Sequence, residues 1–252
     1  MFRLLKTLPP TLALAALSIF SASCGSGSQS QIRFVHTISN ALALDVNINT
    51  TKVASNIAFG GVQPTPPAYT KVASGSVTIQ AYNTGTTTNP IFGANGVTAS
   101  LSSSSQYTVV LAGAINGMGT NALAALQKTD NNAVPTSGNV KFRVINASPS
   151  GPPAVDVYIE ATPFNGNLTN PAISALAYTQ ASSYVTLPWN SNGSGWTIIV
   201  TAAGSTTPYN GFNFNTGNFG GQSTGAIRTL VLTDVQNGSS MSLTPIVLSD
   251  LH

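Results

Sequence analysis

The chain states much of itself twice, and a repeat of this length narrows the available folds more than composition does. "RFVHTISNALALDVNIN" (33–49) lines up with "FRVINASPSGPPAVDVYIE" (142–160), so that Arg33 falls on Arg143 and, one inserted residue later, Asp45 falls on Asp156. "NIAF" (56–59) answers "ALAY" (175–178), and "SVTIQAYNTGTTTNP" (76–90) answers "WTIIVTAAGSTTP" (196–208). "QYTVVLAG" (106–113) answers "IRTLVLTD" (227–234), and "LAALQKTD" (123–130) answers "LTPIVLSD" (243–250), so both copies end on an aspartate. The period, on the order of 110 residues, is the size of one immunoglobulin-like sandwich, not of a solenoid turn.

Within each copy the apolar runs are short and many alternate: Ile32 to His36, Leu42 to Ile48, Ser76 to Tyr82 and Tyr107 to Leu111, then Phe142 to Ile145, Val155 to Ile159, Trp196 to Thr201 and Thr229 to Leu232. Gly, Pro, Asn or Ser clusters bound them, which is the pattern of strands in sandwiches or barrels. Only 6% of residues are charged while 42% are hydrophobic, and Ser, Thr, Asn and Gly supply the polarity. Helix surfaces need Lys, Glu, Arg and Gln, so the bias is towards β structure. The expectation is an all-β chain of two tandem immunoglobulin-like antiparallel β-sandwich domains, at 31–130 and 139–252. The polar stretch "NNAVPTSG" (131–138) is the expected linker.

The amino end reads differently. Arg3 and Lys6 precede an apolar run, Leu12 to Phe20, that closes on Ser21, Ala22 and Ser23. That order is a signal peptide's. The run is about a dozen residues, and a membrane-crossing helix needs roughly 20. Residues 1–23 are therefore expected to be cleaved. The one cysteine of the chain, Cys24, follows at once, with Gly25 to Ser30 behind it as a flexible tether. Small residues before a cysteine resemble a bacterial lipoprotein signal, although Ser21 stands where such signals usually carry Leu. A lone thiol suits lipidation, since disulfides need cysteines in pairs.

Loss of Arg3 and Lys6 from nine basic residues leaves seven against six acidic ones, a nearly neutral mature chain. The remaining basic residues are scattered, which argues against nucleic acid as a partner. The expected partners are a membrane, reached through the lipid, and a protein or glycan. The expected place is the bacterial envelope, at the outer membrane, since Gly25 and Ser26 supply no retention aspartate.

The paired pattern resembles a bacterial family, the domain of unknown function 4397. Its members open with a strand of the type R-V-V-H-A-S-P, run into P-A-V-D-V-Y, and later carry an A-G-T-T-P turn and a Y-T-V-V strand. Here Arg143-Val144-Ile145-Asn146-Ala147-Ser148-Pro149 and Ala154-Val155-Asp156-Val157-Tyr158 match, while the first copy keeps His36 and loses the Ser-Pro turn. The resemblance implies an extracytoplasmic β-sandwich, anchored or secreted. It brings no catalytic residues.

Motifs that suggest chemistry are few. "GQSTG" (221–225) fits a nucleophile elbow, but Ser223 precedes a strand instead of following one, and the two histidines, His36 and His252, give no ready triad. "GMGTNA" (117–122) imitates a dinucleotide turn, yet its counterpart reads as a strand, so Asn121 to Gln127 is expected to be a closing strand. Scattered carboxylates and two histidines make no metal cluster, and no cofactor is expected. His36 reads as a polar residue at a strand end.

The chain is therefore read as non-catalytic, a binding or structural module. Arg33 with Asp45, and Arg143 with Asp156, are expected to pair across a hairpin of the first two strands, with both aspartates facing outward. Trp189, Tyr209, Phe212, Phe214 and Phe219, most of them in a Gly/Asn-rich loop at 209–221, are the candidate binding residues, and they make a glycan-binding module the alternative.

Overall fold

The computed structural model describes residues 28–161, 166–189, 196–215, 224–236 and 243–251, with the backbone alone for Thr120, Ala161 and residues 210–215. Cys24, Phe219, Ser223 and His252 lie outside the described residues.

The first half contributes β1 (Gln29–His36), β2 (Leu44–Ile48), β3 (Thr51–Ile57), β4 (Val62–Gln63), β5 (Thr70–Ala73), β6 (Gly75–Asn83), β7 (Val97–Leu101), β8 (Gln106–Ala112) and β9 (Ala124–Asp130). The second contributes β10 (Asn139–Asn146), β11 (Ala154–Ala161), β12 (Ile173–Ala177), β13 (Val185–Pro188), β14 (Trp196–Ala202), β15 (Pro208–Asn215), β16 (Ile227–Asp234) and β17 (Leu243–Leu251). Each half is a β-sandwich. An inner sheet, β4-β1-β8-β9 with β5 also on the β1 edge, faces an outer sheet, β3-β2-β6-β7. The second half repeats that order as β13-β10-β16-β17 and β12-β11-β14-β15. Most pairings are antiparallel, but β1 runs parallel to β8 and β10 parallel to β16.

Residue alternation explains the layers. Ile32, Phe34, Val109 and Leu111 of the first inner sheet pack on Leu44, Val46, Ile79 and Ala81 of its outer sheet. Phe142, Val144, Leu230 and Leu232 pack likewise on Val155, Val157, Ile198 and Val200. The inner strands are apolar on their other face too. Val35, Val110, Ala112 and Leu126 meet Ile145, Ala147, Val231 and Leu248, so the two inner sheets press face to face. A strand covered on both faces reads as a nearly continuous apolar run, and β8 (QYTVVLA) and β16 (IRTLVLTD) are such runs. The molecule is four sheets deep.

The expected hairpin between the first two strands does not form. β1 lies in an inner sheet and β2 in an outer one, because residues 37–43 first continue along β8, with the Thr37 N–H on Leu111 O (2.8 Å) and the Ser39 N–H on Gly113 O (3.1 Å), and then cross over. The same separation holds for β10 and β11. Arg33 cannot reach Asp45 across a ladder, and Arg143 cannot so reach Asp156.

Both aspartates do point away from their sandwich cores, but they are buried rather than outward in solvent. Asp45 Oδ1 accepts the Asn56 N–H (2.9 Å), and Oδ2 accepts the Gly85 N–H (3.3 Å) and Lys52 Nζ (2.6 Å). Asp156 accepts the Ala175 N–H (2.6 Å) on one oxygen and the Gly204 N–H (2.7 Å) on the other. Asn56 and Ala175 both take left-handed backbone, at φ 54° and 48°, where an edge strand bulges; Gly85 and Gly204 sit at φ 80° and 76° in a turn that favours glycine. One carboxylate thus ties a bulge to a turn in each half. Burial pushes the Asp45 carboxyl up, and the hydrogen bonds from Lys52, Asn56 and Gly85 more than reverse this, holding it below the usual range.

Asp156→Asn removes one of the two acceptor oxygens and strands a backbone N–H. The expected loss is about 1–3 kcal/mol, read as a lower melting temperature in thermal denaturation; unchanged melting would show that the carboxylate holds nothing.

Candidate functional site

Each inner sheet offers the same three side chains to the seam between the sandwiches: Arg33, Thr108 and Asp130 from β1, β8 and β9, and Arg143, Thr229 and Asp250 from β10, β16 and β17. Within the first sheet Arg33 Nε donates to Thr108 Oγ1 (2.9 Å), whose hydroxyl donates to Asp130 Oδ2 (2.7 Å). Within the second, Arg143 Nε donates to Thr229 Oγ1 (3.0 Å), and that hydroxyl donates to Asp250 Oδ2 (2.6 Å). The ion pairs then cross the seam. Arg33 Nη2 pairs with Asp250 Oδ1, and Arg143 Nη2 with Asp130 Oδ1. Arg33 Nη2 also lies 3.5 Å from Asp130 Oδ2.

Aromatic rings complete each half of the motif. The Arg33 guanidinium stands over Tyr69 at 4.9 Å and that of Arg143 over Tyr184 at 5.0 Å, a favourable cation–π placement. The Tyr69 hydroxyl donates to Asp130 Oδ2 (2.7 Å). The segment joining the sandwiches is drawn into the seam: Asn132 Nδ2 donates to the Tyr69 hydroxyl (2.9 Å), the Asn131 N–H to the Tyr184 hydroxyl (3.3 Å), and Lys141 Nζ to Ala133 O (2.6 Å). One asymmetry stands out. Arg143 Nη1 donates to Thr129 O (2.8 Å), whereas Arg33 Nη1 is buried with no hydrogen-bond partner among the described residues.

Burial would lower the Arg33 pKa, but Asp250 and Asp130 outweigh it and raise it, so the guanidinium stays charged. Burial pushes the Asp250 carboxyl up against the pull of Arg33 and Thr229. Burial, with Asp130 adding to it, lifts the Tyr69 hydroxyl far above a phenol's ordinary value. An arginine cannot give up its proton, and the aspartate oxygens are taken up by hydrogen bonds. The cluster locks the two inner sheets together.

His36 is a second buried polar group. Its Nδ1 accepts the Ile38 N–H (3.2 Å), so the ring proton sits on Nε2 and is donated to Leu42 O (3.0 Å). Only the neutral ring can serve both, and burial pushes its pKa down to about 4. Asn146 does the same work in the second half, accepting the Ser148 N–H on Oδ1 (3.2 Å) and donating to Leu176 O (3.1 Å).

The aromatic stretch expected as a loop begins as a strand: residues 208–215 form β15 and pair with β14, with Phe214 opposite Ile198. Tyr209 packs against the core of the second sandwich, and Trp189 is half-buried, its backbone N–H donating to Gly138 O (2.7 Å). The side chains of Phe212 and Phe214 lie outside the described residues, as do Phe219, Cys24 and Ser223. In "GMGTNA" a short 3-10 turn at Gly119–Asn121 leads to β9. A Cβ on Gly117 would sit 2.1 Å from Asn121 O, so close backbone packing explains that glycine.

Two grooves occupy equivalent places at the open edges of the sandwiches. One, of about 400 Å³, runs along residues 55–58 and 61–65; the other, of about 370 Å³, runs along 172–177, 180–183 and 185. Neither lining carries a charged side chain.

Sequence reasoning singled out both arginines and noted that each copy ends on an aspartate, yet it missed Asp130 and Asp250 as the partners. The matching final "KTD" and "LSD" were the available signal. Thr108 and Thr229 coincide when "QYTVVLAG" is laid on "IRTLVLTD", a match that was not read as a site, and Tyr69 and Tyr184 gave no signal beyond their places in the chain.

A family model described as "Domain of unknown function (DUF4397)" matches residues 30–158. That span takes in the first sandwich, the joining segment, β10 and the first five residues of β11. No curated protein matches the chain.

Asp250→Ala removes the close carboxylate partner of the buried Arg33 guanidinium and leaves it only Asp130, 3.5 Å away. The expected cost is about 3–5 kcal/mol, measured by denaturant unfolding at neutral pH, and a cost below 1 kcal/mol would show that Asp130 alone suffices. For His36 the unfolded ring, with a pKa near 6.5, binds a proton that the folded ring refuses until about pH 4. Stability present above pH 6.5 is therefore lost as pH falls towards 4, by about 3 kcal/mol. His36→Asn, copying Asn146, is expected to flatten that part of the stability profile; a profile identical to wild type would remove His36 as its source.

Proposed function

Because the chain belongs to the DUF4397 family and its two halves fold alike, we propose that it carries two tandem copies of that unit and works as a non-catalytic lipoprotein of a bacterial envelope, a binding or structural module held at the outer membrane by a lipid on Cys24. The signal-like order of residues 1–23 and the lone cysteine support the anchor. All five aspartates are buried and accept hydrogen bonds within the fold, which supports a role without catalysis.

Strand direction carries the binding half of the reading. β1 and β10 start at one end of the molecule, where β9 and β17 finish, so the tether and the joining segment share that end. The loops 37–43, 84–96, 113–123, 147–153 and 203–207 gather at the other. None of them contains Asp, Glu, Lys or Arg. There Leu42 is 72% exposed and Met118 87%, on two loops clasped by Asn40, whose side chain donates to Ile115 O (3.1 Å) and accepts the Ile115 N–H (2.7 Å). Large apolar side chains held rigidly in an uncharged setting suit an uncharged partner.

Mass spectrometry of the mature amino terminus is expected to find diacylglycerol on Cys24, and Cys24→Ala to move the protein from the membrane to the soluble fraction. A bare, soluble Cys24 protein would end the anchor reading. A partner retained from native envelopes by wild type is expected to be lost by the Leu42→Asp, Met118→Asp double variant; equal retention would place binding elsewhere.

A further inference from the structure

We infer that the seam between the sandwiches is a homotypic recognition surface that a second molecule of this chain can occupy, so that two chains pair by exchanging sandwiches. Both sides of the seam carry one kit. Each has an arginine, a threonine that links it to an aspartate, a tyrosine beneath the guanidinium, and a small apolar patch. Each arginine makes its close ion pair with the other side's aspartate, Arg33 with Asp250 and Arg143 with Asp130. Such reciprocity is the arrangement of a two-fold interface, here closed within one chain.

The cross-seam ion pairs themselves use no atom of the joining segment, whose bonds from Asn131 and Asn132 to the two tyrosines are the ones that opening must release. Residues 131–138, at roughly 3.3–3.6 Å each when extended, can bridge well over 20 Å and let one sandwich leave its neighbour. An opened chain bares Val35, Val110, Ala112 and Leu126 together with Arg33 and Asp130, each deprived of its close partner across the seam. The complementary surface is the second sandwich of any other copy. A short linker gives an effective concentration in about the millimolar range, so dilute chains stay closed and concentrated, transiently opened ones exchange.

Full-length charge-swap variants test this. One carries Arg33→Asp with Asp130→Arg, the other Arg143→Asp with Asp250→Arg. Alone, each sets like charges against each other across the seam. Mixed, the inverted first sandwich matches the inverted second, and the two unaltered sandwiches match each other. Light scattering after gel filtration is expected to show a one-to-one heterodimer of twice the monomer mass, while the variant with all four changes is a closed monomer. A mixture that gives no heterodimer beside a folded quadruple variant overturns the inference. As an independent arm, wild type refolded from denaturant is expected to yield a dimer fraction that rises with protein concentration; monomer alone at every concentration up to about millimolar overturns it as well.

Discussion

The exchanged pairs of Arg33 with Asp250 and Arg143 with Asp130 are what the rest of the structure is arranged around. Four full charges sit out of water between two inner sheets, and a burial of that kind is tolerable only when every charge has an opposite partner and fixed hydrogen bonds. The two threonines, the Tyr69 hydroxyl and Thr129 O supply those bonds, and the joining segment in turn holds the tyrosine hydroxyls. Because each sandwich holds only half of each pair, neither half is electrostatically complete alone. The two sandwiches are one unit for that reason, more than because a short linker joins them.

The same requirement explains why the inner strands look as they do. β1, β8, β10 and β16 must face a sandwich core on one side and the seam on the other, so their apolar residues do not alternate with solvent-facing ones. The outer strands alternate, and the polar residues on their outer side are put to use. Asp45 and Asp156 each hold a bulged edge strand to a turn, and a bulge that twists an edge away from flat pairing keeps it from pairing with stray strands. Nearly all the acidic side chains are thereby consumed inside the molecule. What is left at the loop end is uncharged, with Leu42 and Met118 standing clear of it.

A good share of this was legible in the residues. The two-fold repeat, the strand pattern and the importance of the Arg and Asp positions could all be read, because periodicity and composition act locally. The hairpin of the first two strands could not be anticipated as false: residues 37–43 are the right length for a turn, and only their hydrogen bonds along β8 show that they cross between sheets. The outward aspartates were right in direction and mistaken in exposure, since alternation says which face a residue is on and not what covers it. The aromatic run from Tyr209 begins as a strand because Ile198 and Ile199 offer it a partner ladder, which Asn and Gly content disguised.

A hydrophobic pattern repeated at sandwich length was enough to specify two like β-sandwiches, since short alternating strands bury their apolar faces by packing sheet on sheet. Which arginine meets which aspartate was settled by the packing of one inner sheet on the other. Arg33 and Asp250 stand 217 residues apart, and no local pattern can distinguish a partner in the same copy from one in the other. Burial does distinguish them: a guanidinium at the seam between two sheets is satisfied by whichever carboxylate the opposite sheet brings to it.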